Sequence, residues 1–253
     1  MPVPRLLGLH DGPESLVVVR HAQSVGNVAD EEARRQGAAR LDLDARDADV
    51  ELSDTGRGQA EALRTWLKEA PEEQRPTLVV SSPYRRALDT ARIAVADLDV
   101  EIVVDERLRE RDLGLFDGLT GTGIRAEYAE EAERRSRVGK FYYQPPSGES
   151  WADVVLRVRS LLADLRHGFA SERVWLFTHQ AVIMSVRYVL DGLDEQQLLA
   201  VEKEHQLANV SMTTYRRGRD GLELESFGDT AAVESQGADR THERSQAGAV
   251  HDG

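Results

Sequence analysis

The chain has 253 residues, 40% of them hydrophobic and 30% charged, proportions that suit an ordinary soluble globular protein with one sizeable core. Its formal net charge of -13 excludes a general nucleic-acid binder, which needs a basic face to displace counterions from phosphates. Cysteine is absent, which removes disulfides, thiolate nucleophiles and cysteine-ligated zinc and is compatible with a reducing cytoplasm, the expected location.

At the start of the chain the apolar patch Leu6 to Leu9 is broken by Gly8 and followed by Asp11, Gly12 and Pro13, too short for a signal peptide or a membrane span. Leu16 to Val19 is a continuous apolar run rich in β-branched residues, the pattern of a strand buried on both faces, and it stops at Arg20 and His21. Residues 28–50 are rich in Ala, Arg and Asp without an apolar period, which predicts a solvent-facing loop over one end of the sheet with one short helix. From Thr55 to Ala70, Ala60, Leu63, Trp66 and Leu67 recur at helical spacing, and Thr77 to Ser81 returns to a buried-strand pattern. A helix over 84–96 and a strand over 101–104 follow. Residues 119–147 carry a charged helical pattern that ends in Phe141-Tyr142-Tyr143-Gln144-Pro145-Pro146, a segment placed to cover a site. Then come a helix over 151–166, a strand over 173–177, a helix over 181–190 and strands over 210–215 and 222–225. Strand and helix alternate, which predicts an α/β layer architecture with a mostly parallel central sheet. Beyond Phe227 the sequence is polar with almost no large apolar residue, so residues 1–227 read as one domain and 228–253 as a disordered tail.

Three buried strands end in chemistry-bearing residues: Arg20 and His21 after the first, Ser81-Ser82-Pro83 leading to Arg85 and Arg86 after the second, Thr178 and His179 after the one at 173–177. In open α/β sheets the carboxyl ends of the strands are where ligands bind, so these groups belong at one edge of one sheet. A cluster of arginine and histidine inside a negative molecule is what a small phosphorylated substrate needs.

The motifs RHAQSVGN from Arg20 to Asn27, LSDTGRGQA from Leu52 to Ala60, SSPYRRALDTA from Ser81 to Ala91, LRERDLGLFDGLT from Leu108 to Thr120, GES from Gly148 to Ser150 and THQAVI from Thr178 to Ile183 resemble, in order and spacing, the histidine phosphatase and phosphoglycerate mutase superfamily. The resemblance implies a phosphoglycerate mutase-like three-layer sandwich with helices flanking the sheet. It implies His21 as the nucleophile that accepts the phosphoryl group, Arg20, Arg86 and His179 gripping that group with Asn27 nearby, His179 as part of the catalytic set, and Glu110 as proton donor. It requires no metal and no cofactor, and its partner is a small phosphorylated substrate, with no nucleic acid and no membrane. A neutral imidazole is a usable nucleophile near pH 7, and guanidinium forks match phosphate oxygens.

The duller readings stand beside these. Glu110 sits in a run of charges that elsewhere marks a solvated face, Arg85 competes with Arg86 and is expected to face solvent, and Glu149 and Ser150 suit a helix N-terminus. His10, His167, His205, His242 and His251 lie outside the motifs. Arg134, Arg135, Arg137 and Lys140 suit either a second anionic group of the substrate or a solvated helix face, the latter being the commoner use of such alternation. Two departures from the family pattern bear on substrate: Gln180 and Ala181 stand where glycine commonly follows the second histidine, and Arg111-Asp112-Leu113-Gly114 replaces the mutase branch's Arg-His-Tyr-Gly. Phosphomonoesterase is therefore the leading expectation, with a bisphosphoglycerate-dependent mutase and a silent phospholigand-binding module as alternatives.

Overall fold

The computed structural model describes residues 12–219 and 221–242; the Leu6 to Leu9 patch and residues 243–253 lie outside them. Six strands form one sheet in the order β3-β2-β4-β1-β5-β6. They are β1 (Ser15–Arg20), β2 (Leu78–Ser81), β3 (Ile102–Val104), β4 (Arg173–Thr178), β5 (Met212–Gly218) and β6 (Gly221–Asp229). The first four run parallel, and the hairpin β5–β6 joins antiparallel beside β1.

Period-two alternation along each strand divides the core into two layers. In β1, Leu16 and Val18 face one side with Val174 and Leu176 of β4, against helices α6 (Trp151–Asp164), α7 (Gln180–Arg187) and α8 (Glu195–Glu204). Val17 and Val19 face the other side with Trp175 and Phe177, against α2 (Asp54–Glu69), α3 (Arg85–Ala94) and the short α9 (Ala231–Glu234). The three remaining helices, α1 (Val25–Gln36), α4 (Gly121–Glu127) and α5 (Ala129–Val138), belong to the segments between core elements.

Two differences from the sequence expectations have local causes. A 12-residue helix, begun at Val25, runs through the first part of the expected excursion, because Ser24 and Asn27 form a reciprocal capping box that satisfies the first free amides of α1. Only then does the chain loop out over residues 37–53. For residues 228–242 the disordered reading is corrected: β6 continues to Asp229, and Ala232 and Val233 of α9 are buried in the second core layer. Few apolar residues are available there, but the two that matter land on the core.

Candidate active site

Strands β2, β4 and β1 lie side by side, so their carboxyl ends are neighbours. Arg20 is in register with Thr178 and Ser81 with Phe177, and His21 N donates to Thr178 O at 2.9 Å while Ser82 N donates to Phe177 O at 2.9 Å. This brings the His21 and His179 rings to 5.1 Å between centroids. Arg86 enters from the first turn of α3, its guanidinium 5.1 Å from the Tyr84 ring, which in turn meets His179 edge-on at 5.3 Å.

The loop from His21 to Asn27 is held residue by residue. His21 Nδ1 lies 2.8 Å from Ala22 O. A carbonyl only accepts, so Nδ1 carries the proton and Nε2 keeps its lone pair. Ala22 N donates to Thr90 Oγ1 at 3.0 Å, Gln23 N to Gln59 Oε1 at 2.9 Å, and Ser24 N to Asn27 Oδ1 at 3.0 Å. Gly56 is required beneath this loop, because a Cβ there would come within 1.9 Å of Gln23 O.

Electrostatics follow from burial. Arg20 is fully buried and donates to the Leu207 carbonyl. Burial first, then the Arg86 and Arg20 charges, hold the His21 imidazole well below its usual pKa of 6.5. Burial and Arg86, with His21 itself, do the same to His179, whose Nε2 lies 2.9 Å from Ser82 Oγ. Both rings are neutral at pH 7. The Arg86 guanidinium is occupied by Asp47, through the backbone carbonyl at 2.6 Å and the carboxylate at 2.9 Å.

His21, Asn27, Arg86 and Glu110 all line one cavity of about 510 Å³, whereas Arg20 and His179 are fully buried and are not among its lining residues. Glu110 Oε1 accepts from Arg111 N at 2.8 Å. Its loop is braced by Arg157, which donates to the carbonyls of Arg107 at 2.6 Å and Glu110 at 3.2 Å, and by Thr178 Oγ1 on Leu108 O at 2.7 Å. Ser150 caps α6 as expected, whereas Glu149 binds Arg109 at 2.6 Å and Arg157 at 3.0 Å and so also serves this loop. Arg85 faces outward on Glu51 at 2.5 Å. Of the histidines outside the motifs, the described ones (His167, His205 and His242) do not line the cavity.

The far arm of the cavity is cationic. Arg135 and Lys140 turn into it, while Arg134 and Arg137 are exposed, so the two readings of that run are divided between its residues. Arg111 lies 5.6 Å and Lys140 5.7 Å from the Trp151 ring. Lys140 is bound at 2.7 Å to Glu202, a buried carboxylate on α8. Among the described residues no salt bridge reaches the Arg111 or Arg135 guanidinium, and Trp151 Nε1 is buried without a partner. Burial, with Arg135 beside it, pushes Arg111 down to about 10, and burial lowers Arg135 and Lys140 as well.

Sequence reading did not find Ser82 as the partner of His179, Asn209, whose amide donates to His21 O at 3.0 Å, or Asp47 and Glu202. Ser82 lay inside a quoted motif; nothing local marks the other three. Among the described residues no group of three or more His, Cys, Asp or Glu side chains is placed to hold a metal ion, and no helix is long and apolar enough to cross a membrane.

Known proteins resemble this chain in sequence and in fold. A glucosyl-3-phosphoglycerate phosphatase of Mycobacterium tuberculosis is 38% identical over 162 residues, 63% of this chain and 62% of the relative, so the match spans less than two thirds of that protein. A 2,3-bisphosphoglycerate-dependent phosphoglycerate mutase 2 of Gloeobacter violaceus is 31% identical over 198 residues, 75% of this chain and 81% of the relative. The solved structure of a mycobacterial glucosyl-3-phosphoglycerate phosphatase with VO3 superposes with a TM-score of 0.64 at 29% identity, covering 85% of this chain and 98% of that one. The family model for the histidine phosphatase superfamily (branch 1) matches residues 16–230, most of the chain, and the chain therefore belongs to that superfamily.

Proposed function

We propose that this protein is a cytoplasmic, metal-independent phosphomonoesterase that cleaves a small phosphorylated metabolite through a phosphohistidine on His21. The observation that carries the reading is the 2.8 Å contact of His21 Nδ1 with the Ala22 carbonyl: a carbonyl only accepts, so the proton sits on Nδ1 and the Nε2 lone pair is available beside Arg86 and His179. Nε2 attacks phosphorus, the ester P–O bond breaks, and Glu110 delivers a proton to the leaving oxygen. Arg20, Arg86, His179 and the Asn27 amide hold the phosphoryl oxygens, and Arg86 exchanges its Asp47 contact for them. The arriving dianion favours the imidazolium form of His179, which the resting field disfavours. Glu110, now ionised, takes a proton from water, which attacks phosphorus; the P–N bond breaks and its electron pair returns to Nε2. Positioned cations supply most of the stabilisation of the charge-spread transition state.

The cationic arm supports a substrate with a second acidic group, because Arg111, Arg135 and Lys140 face one buried carboxylate, Glu202, beside an unpartnered indole N–H. A phosphoglycerate-type compound such as the mycobacterial relative's name states would place its carboxylate there. The same arm favours a second reading, a mutase that holds a bisphosphorylated primer, as the Gloeobacter relative's name implies.

The test uses an aryl phosphate in excess chelator. Wild type should turn over and carry an acid-labile, alkali-stable phosphoryl label, and folded His21→Ala should do neither. Turnover without label, or activity lost to chelator and restored by a divalent metal, overturns the reading. Product analysis with 3-phosphoglycerate, with and without a bisphosphoglycerate primer, separates hydrolysis from phosphoryl migration.

A further inference from the structure

Behind the nucleophile loop, on the side away from the cavity, a set of buried amides and one hydroxyl joins the C-terminal segment to the catalytic residues. Asn209, 2% exposed, donates from Nδ2 to His21 O at 3.0 Å and to Asn27 Oδ1 at 3.3 Å. Its own backbone N donates to Thr241 O at 2.9 Å, and its Oδ1 accepts from Thr241 Oγ1 at 2.9 Å. Thr241 Oγ1 in turn accepts from Gln59 Nε2 at 2.8 Å, and Gln59 Nε2 also donates to Asp239 O at 2.8 Å. Gln59 Oε1 accepts from Gln23 N. An isolated bridge between Ala208 and His242 continues the attachment. Residues 239–242 therefore grip two arms, Asn209 and Gln59, and both arms end on the loop from His21 to Asn27.

The hydrogen bonds run in one direction, which makes the arrangement more than a fastening. Because Gln59 donates into the Thr241 hydroxyl, that hydroxyl turns its proton to Asn209 Oδ1. The Asn209 amide must then present its nitrogen to His21 O and Asn27 Oδ1. Asn27 Oδ1, already taking Ser24 N, is so held by two donors, and Asn27 itself lines the cavity. The turn that delivers Asn209 is itself strained: Val210 has φ of 56°, a region that a β-branched residue rarely enters, and its N donates to Arg20 O at 3.1 Å and His21 O at 3.4 Å. The carbonyl of His21 is thus pinned by two donors from one strained turn.

We propose that residues 239–242 form a strap whose Thr241, acting through Asn209 and Gln59, sets the position of His21 and Asn27 for phosphoryl transfer. Thr241, Asn209 and Gln59 are positioning residues; none touches the substrate. The inference rests on His21 being the nucleophile. In-line attack tolerates little displacement, and a misplacement near 1 Å costs about 10²-fold, so partial release of the loop should cost about tenfold in the phosphorylation step.

The experiment compares wild type, Thr241→Val, Thr241→Ser, and two shortened chains, one ending at His242 and one at Ala238. It reads the pre-steady-state rate of His21 phosphorylation by an aryl phosphate, inhibition by vanadate, inhibition by inorganic phosphate, and melting temperature. Vanadate reports the five-coordinate geometry that needs Nε2 in line, whereas phosphate reports the anion pocket alone. Thr241→Val and the chain ending at Ala238 should phosphorylate about tenfold more slowly and bind vanadate about tenfold more weakly, with phosphate inhibition within about twofold of wild type. Thr241→Ser and the chain ending at His242 should retain wild-type phosphorylation. A lower melting temperature with unchanged phosphorylation and vanadate affinity makes the strap a stability element only and overturns the proposal. An equal loss of vanadate and phosphate binding overturns it too, because the pocket as a whole has then changed. If wild type itself forms no phosphohistidine, the nucleophile assignment fails and the strap proposal with it, whereas a labelled wild type with an indifferent Thr241→Val sinks the strap alone.

Discussion

His21 and His179 are kept neutral in the fold by burial and by the cations beside them, and this has a pH signature with a definite sign. Well above pH 6.5 the two rings are neutral in both the folded and the unfolded chain and contribute no difference. As pH falls below 6.5 the unfolded chain takes up protons that the native rings refuse, so stability drops, by up to about 1.4 kcal/mol per pH unit for each ring, until the lowered native values are reached. Denaturant melts from pH 7.5 to 5.5 should show this slope, and His179→Gln should reduce it; an unchanged slope contradicts the neutral assignment. Glu110 makes a different demand. Glu110→Gln keeps the acceptor that meets Arg111 N at 2.8 Å but cannot release a proton. Alkyl phosphates, which leave as basic alkoxides, should lose about 10²–10⁴-fold, aryl phosphates far less, and the phosphoenzyme should accumulate. Equal losses for both substrates would remove Glu110 from the acid role. Asp47 competes with substrate for Arg86, and its side chain is 39% exposed, so the ion pair is worth about 0.2–1 kcal/mol. Asp47→Asn should therefore tighten inhibition by inorganic phosphate by up to about fivefold, and weaker inhibition would show that Asp47 supports the pocket rather than competing for it.

At the scale of elements, the C-terminal stretch shows where stability and legibility part. A chain ending at Phe227 loses the last pairing of β6 and the buried Ala232 and Val233 that pack on α2. One buried valine is worth about 1.5–3 kcal/mol, so the melting temperature should fall by about 5 °C or more relative to a chain ending at His242. An unchanged melting temperature would mean that α9 adds nothing to the second core layer. The strands β1, β2 and β4 were readable because both faces are buried, leaving runs such as Val17-Val18-Val19 with no polar interruption. Helix α2 was readable because Ala60, Leu63 and Leu67 recur on one buried face. Helix α8 was not: of its ten residues only Leu198 and Glu202 are buried, so no stripe exists, and its start is held by a capping box between Asp194 and Gln197. Among the site residues, Arg20, His21, Arg86 and His179 were legible because each follows a buried strand, whereas Asn209 and Glu202 gain meaning only from partners 188 and 62 residues away.

At the scale of the whole molecule, a chain of net charge -13 must admit an anion to a pocket in which Arg86, Arg111, Arg135 and Lys140 stand among carboxylates. The two fields differ in range. Most of the negative charge is exposed and acts on an approaching phosphate across water, where it is screened beyond about 10 Å at 0.1 M salt. Arg86 is buried and Arg111, Arg135 and Lys140 are half-buried, so they act at contact distance, where salt screens them far less. Raising the ionic strength should therefore weaken the repulsion more than the attraction, and kcat/KM for an aryl phosphate dianion should rise from low to physiological salt. This is opposite in sign to enzymes whose surface field steers substrate inward. The rise should be steeper for a phosphorylated carboxylic acid, which carries more charge through the same field and meets Arg111, Arg135 and Lys140 only once inside. Arg135→Gln should raise KM for that substrate, leave the aryl phosphate nearly unchanged, and preserve the salt-dependent rise, because the long-range field scarcely depends on one pocket side chain. The measurement needs a salt whose anion does not itself bind the phosphate site, checked by the absence of competitive inhibition. A kcat/KM that falls with salt for both substrates would mean that the pocket's positive field reaches out past the acidic surface, and the molecule would then have to be regarded as steering its substrate.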